Sequence, residues 1–281
     1  MSTMISRVII ILFAVYLIPL PASAQYYQSN VIDEVLFFVV KNEVTKSIRT
    51  KDAQILASNK VREVLISNDS KKPVGKLLIN NFGFAEDFYT YNDTSGMIET
   101  HWRFGYDVNN NMTSASLRKG RQRINYILSY ENNMLAGIHS DSAGVESRYD
   151  FAYVDGKIFK VTLLNLAKDT TGAKYFFNYD NAGELISVLN ESRDEELFRV
   201  TYGNSYLRID NISSKAISYQ IKNDRIDYYS IVNSNASADI DKDDLTKEYI
   251  YSSKGLIEKI FVKSPVGKPL RTEEYEYNYY E

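Results

Sequence analysis

Hydrophobic and polar side chains alternate along most of the chain, in short runs separated by turn residues. Aromatic side chains occupy every second position in residues 149–153, and residues 126–130 and 198–202 show a similar order. Alternation with a period of two places one apolar stripe on one face of a β-strand. A long flat sheet would leave its apolar face and its edges in water. The pattern therefore predicts an all-β antiparallel β-meander of repeated hairpins, forming a strongly twisted, curved sheet or partial barrel.

The hairpin pattern repeats along the chain. Its most complete unit spans residues 177–188, with Tyr179, Gly183 and Leu185 at fixed offsets, and residues 249–260 carry the same residue types. In residues 106–115, Asn110 takes the place of the glycine, and Asn is the usual substitute where φ is positive. The unit anchors lie at positions 91, 106, 130, 153, 179, 202, 221 and 251, with a preferred period near 23 residues.

Three segments follow from this organisation. Residues 1–24 form a leader, residues 25–87 are N-terminal strands with a short helix, and residues 88–281 are the hairpin repeats, continuous with the segment before them. Within the second segment, residues 34–40 and 61–67 are predicted strands because they are rich in apolar and β-branched residues. Residues 50–60 are predicted as the helix, with Thr50 as its N-cap.

The motif Tyr-Asp-x-x-Gly-x-Leu, complete in residues 179–185, resembles that of the YD-repeat or Rhs-type proteins, whose tandem β-hairpins coil into extracellular shells. The resemblance covers roughly residues 88–281. It implies a hairpin meander, export, and a role in carbohydrate or surface binding. Residues 264–268 lack the Asp of the self-cleavage motif found in this family, so autoproteolysis and toxin encapsulation are not carried over.

The first residues predict a secretory signal peptide. Arg7 precedes an apolar run over residues 8–18, and Pro19, Pro21 and a small-residue pattern at 22–24 follow. The run is too short for a membrane anchor, and no second long apolar segment follows, so we expect no transmembrane helix in the mature chain. The chain has no cysteine and is therefore not a lipoprotein. We expect an exported protein, periplasmic or extracellular.

Composition excludes several kinds of chemistry. The 33 Lys and Arg residues nearly balance 36 Asp and Glu residues, and this argues against nucleic-acid binding. The lack of cysteine excludes thiol catalysis and zinc-thiolate sites. His101 and His139 lie in different repeat units, and the acidic string at 239–244 fails the calcium-loop template. We therefore expect no catalytic residues, no metal site and no cofactor.

The sequence favours an exported, non-catalytic β-repeat protein that acts as a binding or structural module at the cell envelope or outside the cell. Its expected partner is a carbohydrate or a cell-envelope protein, and an exposed aromatic row of Tyr175, Phe177 and Tyr179 is the candidate binding site. One alternative is an outer-membrane β-barrel, favoured by export and alternation. Another is a carbohydrate-active enzyme, for which the 36 acidic residues leave an unassigned carboxylate pair open.

Overall fold

The computed structural model describes residues 27–92, 94–142, 145–166, 170–211, 215–223, 225–233 and 244–281. The predicted signal peptide and residues 239–243 of the acidic string lie outside these ranges.

Within the described residues, two helices precede 18 strands. Helix α1 spans Tyr27–Val44 and helix α2 spans Lys46–Ser58. The strands are β1 Val61–Ser67, β2 Pro73–Ile79, β3 Ala85–Tyr91, β4 Ile98–Tyr106, β5 Met112–Lys119, β6 Gln122–Glu131, β7 Met134–Ser142, β8 Val145–Val154, β9 Lys157–Asn165, β10 Thr170–Tyr179, β11 Leu185–Leu189, β12 Glu196–Gly203, β13 Tyr206–Asn211, β14 Lys215–Lys222, β15 Arg225–Asn233, β16 Leu245–Tyr251, β17 Ile257–Lys263 and β18 Pro269–Tyr279.

The strands close into a barrel. Each strand pairs antiparallel with the next one along the chain, and β1 also pairs antiparallel with β18, for example at Val64 and Tyr277. Closure satisfies the backbone hydrogen bonds of both terminal strands and removes the sheet edges. The predicted all-β antiparallel meander is confirmed, and its curvature goes on to full closure. Strands β1 to β3, which precede most of the predicted repeat segment, belong to the same sheet.

The inward-facing positions of the strands are mostly apolar, and most charged side chains of the strands face outward. On β4, Trp102 and Phe104 are buried, whereas Arg103 between them is exposed. On β12, Phe198 is buried and its neighbour Arg199 is exposed. This parity follows from the period of two in the sequence. One continuous hydrophobic core therefore fills the barrel and includes side chains of both helices.

Residues 34–40 lie in helix α1, so the prediction of a strand there is wrong. Val35, Leu36, Val39 and Val40 are all buried, at the spacing of one helical face. A short apolar run fits either a strand or a buried helix. The barrel decides between them, because its closed sheet offers no free edge for another strand, while its apolar lumen buries a helix.

The predicted second helix exists but begins earlier than expected. Helix α2 begins at Lys46, directly after Thr45, whose hydroxyl donates a hydrogen bond to the carbonyl of Lys41 (2.7 Å). Thr50 therefore lies within the helix and is not its N-cap, and its hydroxyl donates to the Lys46 carbonyl (2.8 Å). A Thr hydroxyl can bond back to the preceding turn in this way inside a helix.

Helix α2 lies against one end of the barrel, which we call the helix end. The Lys51 ammonium donates to the carbonyl of Asn223 (2.9 Å), and Arg225 Nη2 lies 3.3 Å from Asp52 Oδ1. The turns that join even-numbered strands to odd-numbered ones lie at this end. In one of them Gly183 has a φ of +82°, and in another Asn110 has a φ of +62°, as predicted.

Candidate functional site

Seven tyrosines point inward near the helix end, and we call them the tyrosine ring. Each lies at or near the end of an even-numbered strand and packs, partly buried, against the core. Most of them are anchors of the repeat recognised in the sequence. The ring consists of Tyr106, Tyr130, Tyr153, Tyr179, Tyr202, Tyr251 and Tyr277.

Hydroxyl groups of the ring tie neighbouring strands together. The hydroxyl of Tyr153 donates to the carbonyl of Leu135 (2.9 Å), and that of Tyr277 donates to the carbonyl of Ile257 (2.7 Å). Tyr106 and Tyr251 make equivalent bonds. In each case the acceptor is the first or second residue of the preceding strand. The repeated tyrosine therefore fastens the start of one strand to the end of the next.

Burial raises the pKa of the ring tyrosines. For Tyr153 and Tyr179 loss of hydration is the largest cause, and the negative charge of Glu43 on α1 adds to it. The hydroxyls are therefore neutral donors at physiological pH. A structural role explains these residues without a ligand.

The predicted aromatic row lacks the exposure that its role requires. Tyr175 and Phe177 are 7% and 3% exposed, and Tyr179 belongs to the inward-facing tyrosine ring. The reason is parity: all three residues occupy the lumenal face of β10, because odd positions of that strand point inward. The prediction that this row is exposed on the outer surface is wrong.

The lumen also holds charged groups that the sequence did not single out. Arg49 of α2 is 1% exposed, and the side chain of Lys247 on β16 is 3% exposed. Lys41 in the last turn of α1 interacts electrostatically with both. We call these three residues the lumenal cations. Periodicity along any one segment could not reveal them, since they come from three different elements.

The lumenal cations perturb one another. Burial, followed by the positive charges of Arg49 and Lys247, lowers the pKa of Lys41 to about 7. Burial likewise lowers the pKa of Arg49 to about 10 and lowers the pKa of Lys247. Burial alone would raise the pKa of Glu273, but the positive charges of Lys247, at 3.9 Å, and of Arg271 hold that pKa below its ordinary value.

The outer wall is charged and paired across or along strands. Asp87 Oδ1 lies 2.6 Å from His101 Nε2 and 3.2 Å from Arg103 Nε. A similar pair joins Arg208 and Asp210. His101 and the other histidine, His139, lie on β4 and β7, and the Nε2 atom of His139 lies 3.6 Å from a different carboxylate, that of Glu146. Nowhere in the described ranges do three His, Asp or Glu side chains form a group that could hold a metal ion.

One groove of about 300 Å³ opens on the outer wall of β6, β7 and β8. It is lined by polar and small residues, Ser129, Gly137, His139 and Arg148, and by the apolar residues Ile127, Ile138 and Leu166. Arg148 is held by Asp150 at 2.7 Å. The groove offers both apolar contact and hydrogen-bond donors to a ligand in solution.

Among the described helices, none is both long and apolar enough to cross a bilayer. The chain matches no family model and no curated protein. Among solved structures, it is similar to a porin-like protein from Bacteroides uniformis, with 13% identity, 78% of this chain and 98% of that one covered, and a TM-score of 0.35. It is also similar to a porin-like protein from Bacteroides vulgatus, with 9% identity over 78% of this chain and 98% of that one, and a TM-score of 0.34.

A component of the Photorhabdus luminescens Tc holotoxin pore gives 14% identity over 70% of this chain and 11% of that one, with a TM-score of 0.27. At such identities, all of these likenesses concern the fold alone.

Proposed function

We propose that the protein is an exported, non-catalytic β-barrel that works in water as a binding or structural module at the cell envelope or outside the cell. The observation that carries the proposal is the polarity of the barrel: mostly apolar side chains, including those from both helices, fill its lumen, and many charged side chains lie on its outer wall. The resemblance to YD-repeat proteins is consistent with this proposal, because the repeated tyrosines serve the barrel as structural ties.

The charges of the outer wall oppose contact with lipid. Arg103, Arg199 and Arg208 lie near the middle of β4, β12 and β13 and point outward. A lipid-facing Arg at the bilayer midplane costs roughly 2–4 kcal/mol, with the cost falling towards the interfaces. Several such residues on one wall would make insertion unfavourable, whereas in water each is solvated and paired.

An outer-membrane β-barrel is the second candidate. A closed antiparallel barrel with an even number of strands, each paired with its sequence neighbours, is the architecture of that class. In this respect the closed sheet fits the alternative better than it fits an open repeat module. A lipid-facing band would have to include the outward apolar residues, and nine of the exposed large hydrophobic side chains lie within strands: Ile98, Ile127, Val145, Val154, Phe159, Ile186, Ile250, Leu270 and Tyr279.

Substitutions at two adjacent residues of β6 distinguish a barrel that works in water from an outer-membrane barrel. Ile127 points outward and is 59% exposed, whereas Leu128 points into the lumen and is 5% exposed. We expect the full chain, expressed with its own leader, to be recovered in the soluble fraction without detergent. The Ile127→Glu variant is expected to fold and to be recovered in the same fraction as the wild type. The Leu128→Glu variant is expected to give less folded protein, because the substitution buries a charge.

Recovery of the wild type only in detergent, together with loss of the Ile127→Glu variant from the membrane fraction, would favour the outer-membrane barrel instead.

The partner, a carbohydrate or an envelope protein, remains part of the proposal. A glycan array tests it with the wild type and with His139→Ala, which alters the outer groove, while Tyr175→Phe in the lumen serves as the control. Binding that depends on His139 would support a carbohydrate ligand.

A further inference from the structure

The barrel has a second end, opposite the helix end, and we call it the far end. The turns that join odd-numbered strands to even-numbered ones lie there, because neighbouring strands are antiparallel. Four of these turns follow one another along the edge of the barrel, since β17, β18 and β1 to β6 are successive neighbours in the closed sheet. We call these turns and the strand residues beside them the basic rim. It comprises residues 263–271, 67–73, 91–99 and 118–123.

Two turns of the basic rim expose large apolar side chains. Val266 and Leu270 lie in and beside the β17–β18 turn, and Met97 and Ile98 lie in and beside the β3–β4 turn. Each of these four side chains is between 54% and 74% exposed. A single exposed apolar residue needs no explanation, but two pairs at one end of the barrel, framed by polar residues, are typical of an interaction surface.

The turns that alternate with these apolar pairs are basic. The β1–β2 turn contains Lys71 and Lys72, and residues 118–123 contain four lysines and arginines. The whole basic rim has nine lysines and arginines and three acidic residues, in a chain with a net charge of −3. Three of the cations pair with carboxylates outside the rim, and the cations remain in excess when those carboxylates are counted. The pairs are Lys71 with Glu274, Lys263 with Glu248, and Arg271 with Glu273.

The positive charge is a feature of the basic rim and not of the far end as a whole. The β11–β12 turn, in the other half of that end, has three acidic residues and one arginine in residues 190–195. Within the rim, the sheet register places Arg118 directly opposite Arg123, and both side chains are exposed. Like charges at directly opposite positions destabilise an antiparallel pair. Negative charge brought to the rim from outside would offset that repulsion.

We propose that the basic rim docks reversibly on the surface of an anionic lipid bilayer. Lysines and arginines are attracted to anionic headgroups, and exposed apolar side chains enter the boundary between headgroups and acyl chains. A bilayer surface therefore matches both kinds of turn. An acidic polysaccharide would match the cations only, and an apolar protein surface would match only the four apolar side chains. The helix end then points away from the membrane.

This inference rests on the proposal that the barrel works in water, and sedimentation with vesicles tests it. Purified protein without detergent is mixed with vesicles of equimolar phosphatidylglycerol and phosphatidylcholine, or of phosphatidylcholine alone, at low and high salt. We expect binding to the anionic vesicles at low salt and release at high salt, because salt screens the attraction between exposed charges. We expect no binding to the neutral vesicles.

Two substitutions in the rim are matched by two at the helix end. Arg121→Glu reverses a charge in the β5–β6 turn, and Lys254→Glu does the same in the β16–β17 turn. Val266→Asp removes an apolar side chain from the rim, and Val108→Asp removes one that is 97% exposed in the β4–β5 turn. We expect each rim substitution to weaken vesicle binding about tenfold or more, and each control to bind like the wild type. Circular dichroism checks that all four variants fold.

The possible failures are distinguishable. A folded, soluble wild type that binds neither kind of vesicle, or equal binding by rim variants and controls, would overturn the docking and leave the proposed function in place. Binding to both kinds of vesicle that survives high salt would indicate insertion of the barrel and would overturn the proposed function as well. Binding to alginate, an acidic polysaccharide, without binding to vesicles would overturn the docking in favour of a glycan partner.

Discussion

The hydrogen bonds of the tyrosine ring can be measured with two nearly identical substitutions. Tyr153 and Tyr130 occupy equivalent places on β8 and β6, both partly buried and pointing inward. The hydroxyl of Tyr153 donates to the Leu135 carbonyl at 2.9 Å. The buried hydroxyl of Tyr130 makes no hydrogen bond within the described structure. Substitution by Phe removes one oxygen atom at each site and leaves the ring packing in place.

The two substitutions are expected to change the free energy of unfolding differently: Tyr153→Phe lowers it, and Tyr130→Phe leaves it unchanged or raises it. Tyr153→Phe loses a hydrogen bond and leaves a carbonyl without its partner, which costs about 1–2 kcal/mol. For a chain of this size that corresponds to a fall in Tm of roughly 2–8 °C. Tyr130→Phe removes an unsatisfied buried hydroxyl, so its stability should lie between that of the wild type and a gain of about 1 kcal/mol.

Reversible denaturant unfolding, followed by circular dichroism, measures both differences under one set of conditions. Equal destabilisation by the two substitutions would refute the reasoning, because it would show that the ring contributes through packing and not through its hydroxyl bonds. A larger loss for Tyr130→Phe would refute it as well.

Three further outcomes follow from the structure. Gly83→Ala should cost about 2–4 kcal/mol in unfolding free energy and Gly267→Ala only about 1 kcal/mol. Both glycines have a φ of +83°, but only at Gly83 would a Cβ collide with the backbone of α2. Stability should rise between pH 7 and 10 in chloride buffer, and Lys41→Met should reduce that rise. The pKa of Lys41 falls from 10.5 unfolded to about 7 folded, so in this window the unfolded chain binds the extra proton. Glu273→Gln should cost about 3–5 kcal/mol by leaving Lys247 without its carboxylate, and adding Lys247→Met should recover most of the loss, as denaturant titration would show. Equal costs at the two glycines, an unchanged pH profile or a double variant no better than the single one would each contradict the corresponding expectation.

Local patterns were sufficient for the hairpins but not for the N-terminal segment. The turn around Gly183 and the strand Val61–Ser67 occur as predicted, because turn geometry and alternation depend on adjacent residues. The run at 34–40 was predicted as a strand and is part of α1. Its apolar composition suits any buried element, and only the closed lumen selects the helix.

The candidate sites depended even more on tertiary structure. Alternation predicts that Tyr175 and Phe177 share one face of a strand, which they do, but it does not say which face is inside. The lumenal cations were not predicted at all, since Lys41, Arg49 and Lys247 carry no common motif. They meet because two helices enter a barrel whose β16 presents a lysine inward.

The antiparallel hairpins, their turn positions and the parity of apolar and polar side chains follow from local sequence, because each depends on contacts between residues close in the chain. Tertiary structure decided the closure of the sheet, the identity of its inner face and the entry of the helices. Closure rests on the pairing of β1 with β18, where Val61 lies opposite Tyr279. A contact between residues so far apart leaves no local pattern, and it forms because it removes both sheet edges and encloses the apolar face at once.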